Sequence, residues 1–294
     1  MVLIKEFRIV MPMSSEEYNR GSRYSLAKET KLQSSAEEGV ETLVKKPFDD
    51  PSAPDPRYRK GVYTHKVLHL GARVPSLVRR ITPKKALMLD EKSWNCAPYC
   101  KTVYSSSYFG EKFSLTVETV IKDNDRGQTE NALDLPAHVL SKRLVDMVDI
   151  VGDPGIESDA EHPGKVRSEK AGRGPLQPDF ARTHEPVMCV YKLVVGVFRQ
   201  KPISKKAEEM MLQMGMRDLL LPFHRHIYLW MDEWFHLTNE EIAQHEASIY
   251  AELNQLDFKT GTKGGAPLDE KAPEVLTEVP EEERLSTPQS KKLL

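Results

Sequence analysis

Charged side chains lie on faces of this chain that are otherwise apolar, and this pattern limits what it can fold into. In a strand, alternate side chains share one face. Lys66 shares a face of segment 61–70 with valine and leucine, and Lys192 shares a face of segment 188–199 with valines. Glu246 falls on the apolar stripe of a helical segment. Lysine and glutamate are seldom fully buried without a partner. One interpretation is an internal cavity whose hydrophilic end receives an anionic headgroup.

Other interpretations fit the same pattern. Lys66 and Lys192 could be inward-pointing charges that protect an edge strand. Lys66 and Glu246 could form a structural ion pair, or each strand could expose the face that carries the charge. In segment 188–199 the opposite face, with Tyr191 and Leu193, is apolar as well. Alternation alone therefore does not identify the inner face of that segment.

Strand-like segments dominate the first two thirds of the chain. Two polar stretches rich in proline or glycine, 47–60 and 152–187, are predicted to be loops. The predicted strands are 2–11, 61–70, 86–90, 99–105, 112–122, 143–151 and 188–199. Antiparallel strands followed by long helices indicate the α+β class.

Helices are predicted near the N-terminus and after the last predicted strand. Ser14 and Thr238 are each followed three residues later by glutamate, the spacing of a capping box. Apolar residues recur at three- and four-residue steps over 212–234, and Pro222 within that run predicts a kink or break. Segment 257–294 has proline, glycine and charge without apolar periodicity, which predicts a disordered tail after one domain over 1–256.

Composition excludes several classes of function. The net charge of -2 argues against a nucleic-acid partner. Three cysteines, Cys96, Cys100 and Cys189, provide no disulfide framework and no metal-ligand spacing, which favours a reducing compartment and predicts no metal site. No apolar run approaches the about 18 residues of a spanning helix, and the N-terminus is not a signal peptide.

Several blocks of sequence resemble one known family. They are MVLIKEFRIVMPMSSEEY, GVYTHKVLHL, EKSWNCAPYCKT, KAGRGPL, MCVYKLV and HRHIYLWMDEWFHLT, in this order over residues 1–256. Together they are similar to the soluble class of the phosphatidylinositol transfer protein family. The resemblance implies a START-like helix-grip fold, in which a curved antiparallel sheet and long helices enclose one phospholipid.

The resemblance also implies roles for individual residues. Inositol recognition needs converging donors and acceptors, and a buried phosphodiester needs hydroxyls and a cation. By resemblance, the inositol contacts are Thr64, Lys66, Asn95 and Glu246, and the phosphate contacts are Thr102, Thr119, Lys192 and Ser22. Cys100 matches a thiol deep in the headgroup site, and Ser168 matches a proposed phosphorylation position.

Two positions depart from the family. Ser22 stands where the family often has glutamine, so this shorter side chain reaches a phosphate or choline group only through water. Gln200 and Lys201 stand where the family has a Trp-Trp pair thought to insert into membranes. We therefore expect weaker docking, or docking by the basic segments 73–85 and 199–206; the alternative for 73–85 is a solvated surface.

The resulting prediction is a cytoplasmic, monomeric carrier that contacts membranes transiently and exchanges phosphatidylinositol for phosphatidylcholine. It uses no cofactor other than its lipid cargo and forms no covalent bond, so it is not expected to be an enzyme. One alternative is a lipid sensor or scaffold that binds phosphatidylinositol without efficient transfer. Another is an enzyme in which Lys66, Glu246 and Cys100 serve as base, acid and nucleophile.

Overall fold

A curved, unclosed sheet of eight strands forms the centre of the molecule. The structure is a computed structural model that describes residues 2–35, 38–70, 83–156, 158–198 and 216–256. Its strands are β1 (Val2–Met11), β2 (Glu38–Asp49), β3 (Lys60–Leu70), β4 (Met88–Cys96), β5 (Tyr99–Ser105), β6 (Phe113–Asp123), β7 (Leu144–Val148) and β8 (Met188–Phe198).

The strands lie side by side in the order β2-β3-β4-β5-β6-β8-β1-β7. All neighbours are antiparallel except β1 and β7, which run parallel. The α+β class and the curved sheet are confirmed, while the expectation of a wholly antiparallel sheet is wrong at this edge. Side-chain alternation is the same in both kinds of pairing, so it could not reveal the direction of β7.

One strand was not anticipated from the sequence. Residues 38–49 form β2, so 47–49 of the predicted loop 47–60 are strand, while 50–59 lie outside any strand as predicted. The segment is polar and contains Pro47, which argues against a central strand. β2 lies at the edge of the sheet, where a proline that donates no hydrogen bond is tolerated.

The helices pack mainly around α1. They are α1 (Ser15–Gln33), α2 (Ala137–Leu140), α3 (Phe180–Thr183), α4 (Met216–Leu229), α5 (Met231–Trp234) and α6 (Asn239–Leu253), with short 3₁₀ turns at Pro56–Tyr58, Lys84–Leu87, Gly110–Lys112 and Asp159–Glu161. Both predicted capping boxes, at Ser14 and Thr238, are present. Gly21 of α1 allows close packing, since a Cβ there would lie 2.7 Å from the Trp234 ring.

The predicted apolar helix over 212–234 is interrupted at a different place from the one expected. α4 continues through Pro222, and the helical run breaks at Trp230, before α5. Leu219 follows the apolar spacing of this run but is 47% exposed, while Ile227 and Trp234 are fully buried. Residues 199–215, including Leu212, lie outside the described part of the chain.

The predicted surface loop 152–187 contributes to the core. Its side chains Leu176, Phe180 and Val187 are buried in the main hydrophobic cluster. Arg173 donates to both carboxylate oxygens of Glu17, at 3.0 and 2.7 Å, and so joins this loop to the capping box of α1. The loop is therefore a fixed part of the domain.

The remaining expectations concern membranes and the tail. Among the described residues, no helix is long and apolar enough to cross a bilayer. Segment 71–82, most of the predicted basic segment, lies outside the described residues, as do Gln200, Lys201 and 257–294.

Candidate functional site

Strand register brings most of the predicted site residues onto one face of the sheet. Directly opposed residues in neighbouring strands project to the same side. One row across β4, β5, β6 and β8 is Asn95, Cys100, Thr119 and Lys192. A second row pairs Thr64 with Ser93 and Ser93 with Thr102, and a third pairs Lys66 with Glu91. Alternation along β4 and β5 places all three rows on one side, which we call the inner face.

Helices α1 and α6 lie over this inner face. Lys66 Nζ is 4.9 Å from the centre of the Tyr250 ring of α6. Lys45, which pairs with Thr64 and so shares the inner face, contacts Glu246 of α6. The face of 188–199 that carries Lys192 is therefore the inner one, a choice that alternation had left open.

Lys192 is a cation without a described anionic partner. Its Nζ donates to Thr119 Oγ1 at 3.3 Å. Burial lowers the pKa of Lys192 below its ordinary value. Within the described ranges no carboxylate forms an ion pair with it. An anionic group of a ligand would supply the missing counter-charge.

The histidine next to Lys192 is neutral and adds no charge to this region. His224 is fully buried, and burial together with Lys192 lowers its pKa to about 3. Its Nδ1 lies 2.6 Å from the carbonyl oxygen of Leu220, which makes Nδ1 the donor, and its Nε2 lies 3.1 Å from the Tyr18 hydroxyl, which then donates. Both nitrogens of this neutral imidazole are hydrogen-bonded within the protein. His224 therefore contributes to the shape of this region and not to its charge.

Hydroxyl and thiol groups form a connected set in the middle of the inner face. Ser93 Oγ and Thr102 Oγ1 are 2.7 Å apart. Cys100 Sγ lies 3.3 Å from Asn95 Oδ1 and 3.6 Å from Ser93 Oγ. Ser93 was missed in the sequence, although alternation with Asn95 along β4 could have indicated it. These groups can donate to and accept from a polar headgroup.

Glu246 is held by cations that the sequence analysis did not identify. It is 7% exposed, and its Oε2 accepts hydrogen bonds from Arg23 and from Lys45. Lys66 Nζ lies 3.9 Å from Glu91. The structure therefore shows other ion pairs in place of the Lys66–Glu246 pair considered above: Lys66 pairs with Glu91, and Glu246 pairs with Arg23 and Lys45. Burial acts to lower the pKa of Lys66, but Tyr250 and Glu91 outweigh it and the pKa is raised, so Lys66 is charged.

Ser22 and Ser168 are not members of the three rows on the sheet, since Ser22 is on α1 and Ser168 is in the loop between β7 and α3. Ser22 Oγ, on α1, donates to the carbonyl oxygen of Asn19 at 3.1 Å. Ser168 is buried, and its hydroxyl donates to Asp232 and accepts from the backbone N–H of Ala171. A phosphate on Ser168 would stand beside the Asp232 carboxylate and would have to displace the loop.

An open pocket of about 400 Å³ lies beside the first turns of α1 and α6. It contains none of the predicted site residues, so it is not the predicted cavity. It is lined by Ser15, Glu16, Asn19, Ala97, Pro98, Ile121 and Asn239.

We expect a bulky maleimide to modify Cys100 selectively and to block lipid loading. Cys96 and Cys189 are buried, and burial raises their pKa to about 11 and about 12, which leaves little reactive thiolate. Cys100 is partly exposed between Asn95 and Thr102. Mass spectrometry of the labelled protein locates the adduct, and lipid uptake is measured in parallel. Uptake that persists after full labelling contradicts the placement, and Cys100→Ser is the control that should resist the reagent.

Comparison with known proteins gives one consistent family. A family model described as "Phosphatidylinositol transfer protein" matches residues 2–251. The chain is 40% identical over 259 residues to Phosphatidylinositol transfer protein 1 of Dictyostelium discoideum, covering 86% of this chain and 95% of that protein. It is 39% identical over 272 residues to Cytoplasmic phosphatidylinositol transfer protein 1 of Drosophila melanogaster, covering 90% and 94%. It is 38% identical over 273 residues to Membrane-associated phosphatidylinositol transfer protein 1 of Mus musculus, covering 90% of this chain and 21% of that protein.

Proposed function

Because the chain belongs to the phosphatidylinositol transfer protein family, we propose that it binds one phospholipid and transfers phosphatidylinositol between membranes. The observation that supports the proposal most directly is Lys192, a partly buried cation on the inner face with no anionic partner among the described residues. A phosphodiester is the anion that every phospholipid cargo would bring to it.

The phosphate group would lie against Lys192 and the hydroxyls around it. Thr119 already accepts from the Lys192 amine, and its own hydroxyl hydrogen is then available to the phosphate. Thr102 lies one row away on β5. Ser22, whose hydroxyl is bonded to backbone, would contribute only through water.

The inositol ring would extend from the phosphate towards Thr64, Lys66, Asn95 and Glu246. Lys66 and Asn95 donate, Thr64 does both, and Glu246 accepts. Oε1 of Glu246 has no hydrogen-bond partner within the described ranges, so it is free to accept from a ring hydroxyl. Choline has no hydroxyls, and phosphatidylcholine as the exchange cargo would use only the phosphate contacts.

Transfer makes and breaks no covalent bond, so the proposed activity requires no catalytic residue and no cofactor. The family is one of lipid transfer proteins. In this proposal the protein is a cytoplasmic monomer that contacts membranes transiently. The opening of the site is driven by stronger interaction of the open form with the bilayer.

Vesicle-to-vesicle transfer tests the proposal. Donor vesicles contain labelled phosphatidylinositol or labelled phosphatidylcholine, and the full chain is added in catalytic amounts. We expect multiple lipids moved per protein molecule. The second candidate is a sensor that binds without carrying, which is favoured by Gln200 and Lys201 in place of a Trp pair. Stoichiometric binding without turnover would favour it and contradict the carrier.

A further inference from the structure

A β-bulge in β2 decides which side chain faces Thr64. Thr42 pairs with Lys66, but Lys45 pairs with Thr64, because Leu43 is an extra residue in the strand. In a regular ladder Leu43 would pair with His65 and Val44 with Thr64, and Lys45 would then point to the outer face. Bulges commonly redirect a side chain next to a functional site.

The redirected lysine contacts the carboxylate at the inositol end of the site. Lys45 Nζ lies 3.1 Å from Glu246 Oε2. The same oxygen accepts from Arg23 of α1, from Nε at 3.2 Å and Nη2 at 2.5 Å. One oxygen of Glu246 is therefore held from two sides, by α1 and by β2, and no described residue bonds to Oε1.

Charge and burial explain why this arrangement matters for a neutral ring of hydroxyls. The side chain of Glu246 is 9% exposed, whereas those of Lys45 and Arg23 are 39% and 32% exposed. A buried carboxylate is costly without opposite charge beside it, and a hydrogen bond to a charged group is stronger than one between neutral groups. Fixing Oε2 also fixes the direction in which Oε1 points, so the ring hydroxyl meets an oriented acceptor.

We propose that Lys45 and Arg23 are positioning residues that set the preference for an inositol headgroup over one without hydroxyls. They act through Glu246 and do not touch the phosphate. The inference rests on the proposed function, in which Glu246 accepts from the inositol ring. It adds the residues that orient that acceptor, and the bulge at Leu43 that makes Lys45 one of them.

Competitive transfer from vesicles holding equal amounts of labelled phosphatidylinositol and phosphatidylcholine tests the inference. Lys45→Met should lower the ratio of inositol lipid to choline lipid transferred by roughly fivefold, since Arg23 remains, and the double variant with Arg23→Met by about tenfold or more. The choline-lipid rate should not change, which shows that the fold is intact. Lys45→Arg should restore the ratio. Lys46→Met is the matched control, because Lys46 is the next residue of β2 and faces the other side.

A double-mutant cycle separates positioning from a direct effect on the ring. In a Glu246→Gln background, Lys45→Met should cause no further change in the ratio. An unchanged ratio in Lys45→Met, or an equal loss of both lipids, overturns this inference while the unmodified chain still transfers phosphatidylinositol. If the unmodified chain transfers none, the proposed function fails, and this inference with it.

Discussion

Replacing Lys66 with alanine is expected to reduce phosphatidylinositol transfer by about 10- to 100-fold and to leave phosphatidylcholine transfer within about twofold of the unmodified protein. The Lys66 amine lies on the inner face beside Tyr250 and Glu91, one row beyond Thr64. It would donate to the inositol ring, which phosphatidylcholine lacks. A site built to bond hydroxyls loses selectivity when one donor is removed.

The control for this variant is Lys60→Ala, which changes a lysine of the same strand whose side chain is 80% exposed. Both variants are measured in separate assays for the two lipids. Equal loss of both lipids in Lys66→Ala would show that the residue supports the fold or the phosphate, and the assignment to inositol would be wrong. Thr64→Ala should give the same selective loss with a smaller magnitude, because it removes a neutral hydrogen bond.

Replacing Lys192 with methionine is expected to reduce the transfer of both phosphatidylinositol and phosphatidylcholine. The phosphodiester is common to both lipids, and Lys192 is the cation on the inner face with no described counter-charge. Removing a charge-assisted contact to a buried phosphate should lower transfer of each lipid by about 100-fold. The lipid-free protein should keep or gain thermal stability, because an unpaired cation is replaced by an apolar side chain of similar length.

The combination of lost transfer and retained stability distinguishes a binding residue from a structural one. Thermal unfolding of lipid-free protein gives the stability, and transfer assays with each lipid give the function. Lys122→Met is the control on neighbouring β6, since Lys122 pairs with Cys189 on the outer face. If the Lys192→Met protein lost only phosphatidylinositol transfer, Lys192 would contact the inositol ring and the assignment to the phosphate would be wrong.

Periodicity predicted the parts of the fold that depend on local rules. The capping boxes at Ser14 and Thr238 have fixed spacing, and both form as expected. Lys66 and Lys192 were placed on apolar faces by alternation, and the structure brings both to one face. The family blocks supplied the roles, which alternation alone could not.

What could not be predicted depends on contacts between distant segments. β2 has a polar sequence and an edge position, so its residues give no clear strand signal. The bulge at Leu43 shifts the alternation by one residue, and the shift is visible only from pairing with β3. The sequence did not indicate Arg23 and Lys45, because they contact Glu246 from two separate elements. Contacts between elements distant in sequence cannot be derived from residue spacing.

Lipid extraction from purified protein, followed by headgroup-resolved mass spectrometry, determines whether the protein carries one phospholipid and prefers the inositol headgroup. The protein is expressed in a cell that contains both phosphatidylinositol and phosphatidylcholine. We expect about one phospholipid per protein molecule, with inositol lipid enriched over its share of the cell's phospholipid, and a loss of that enrichment in Lys66→Ala. Protein that purifies without phospholipid, or with headgroups in the proportions of the cell membrane, would contradict it.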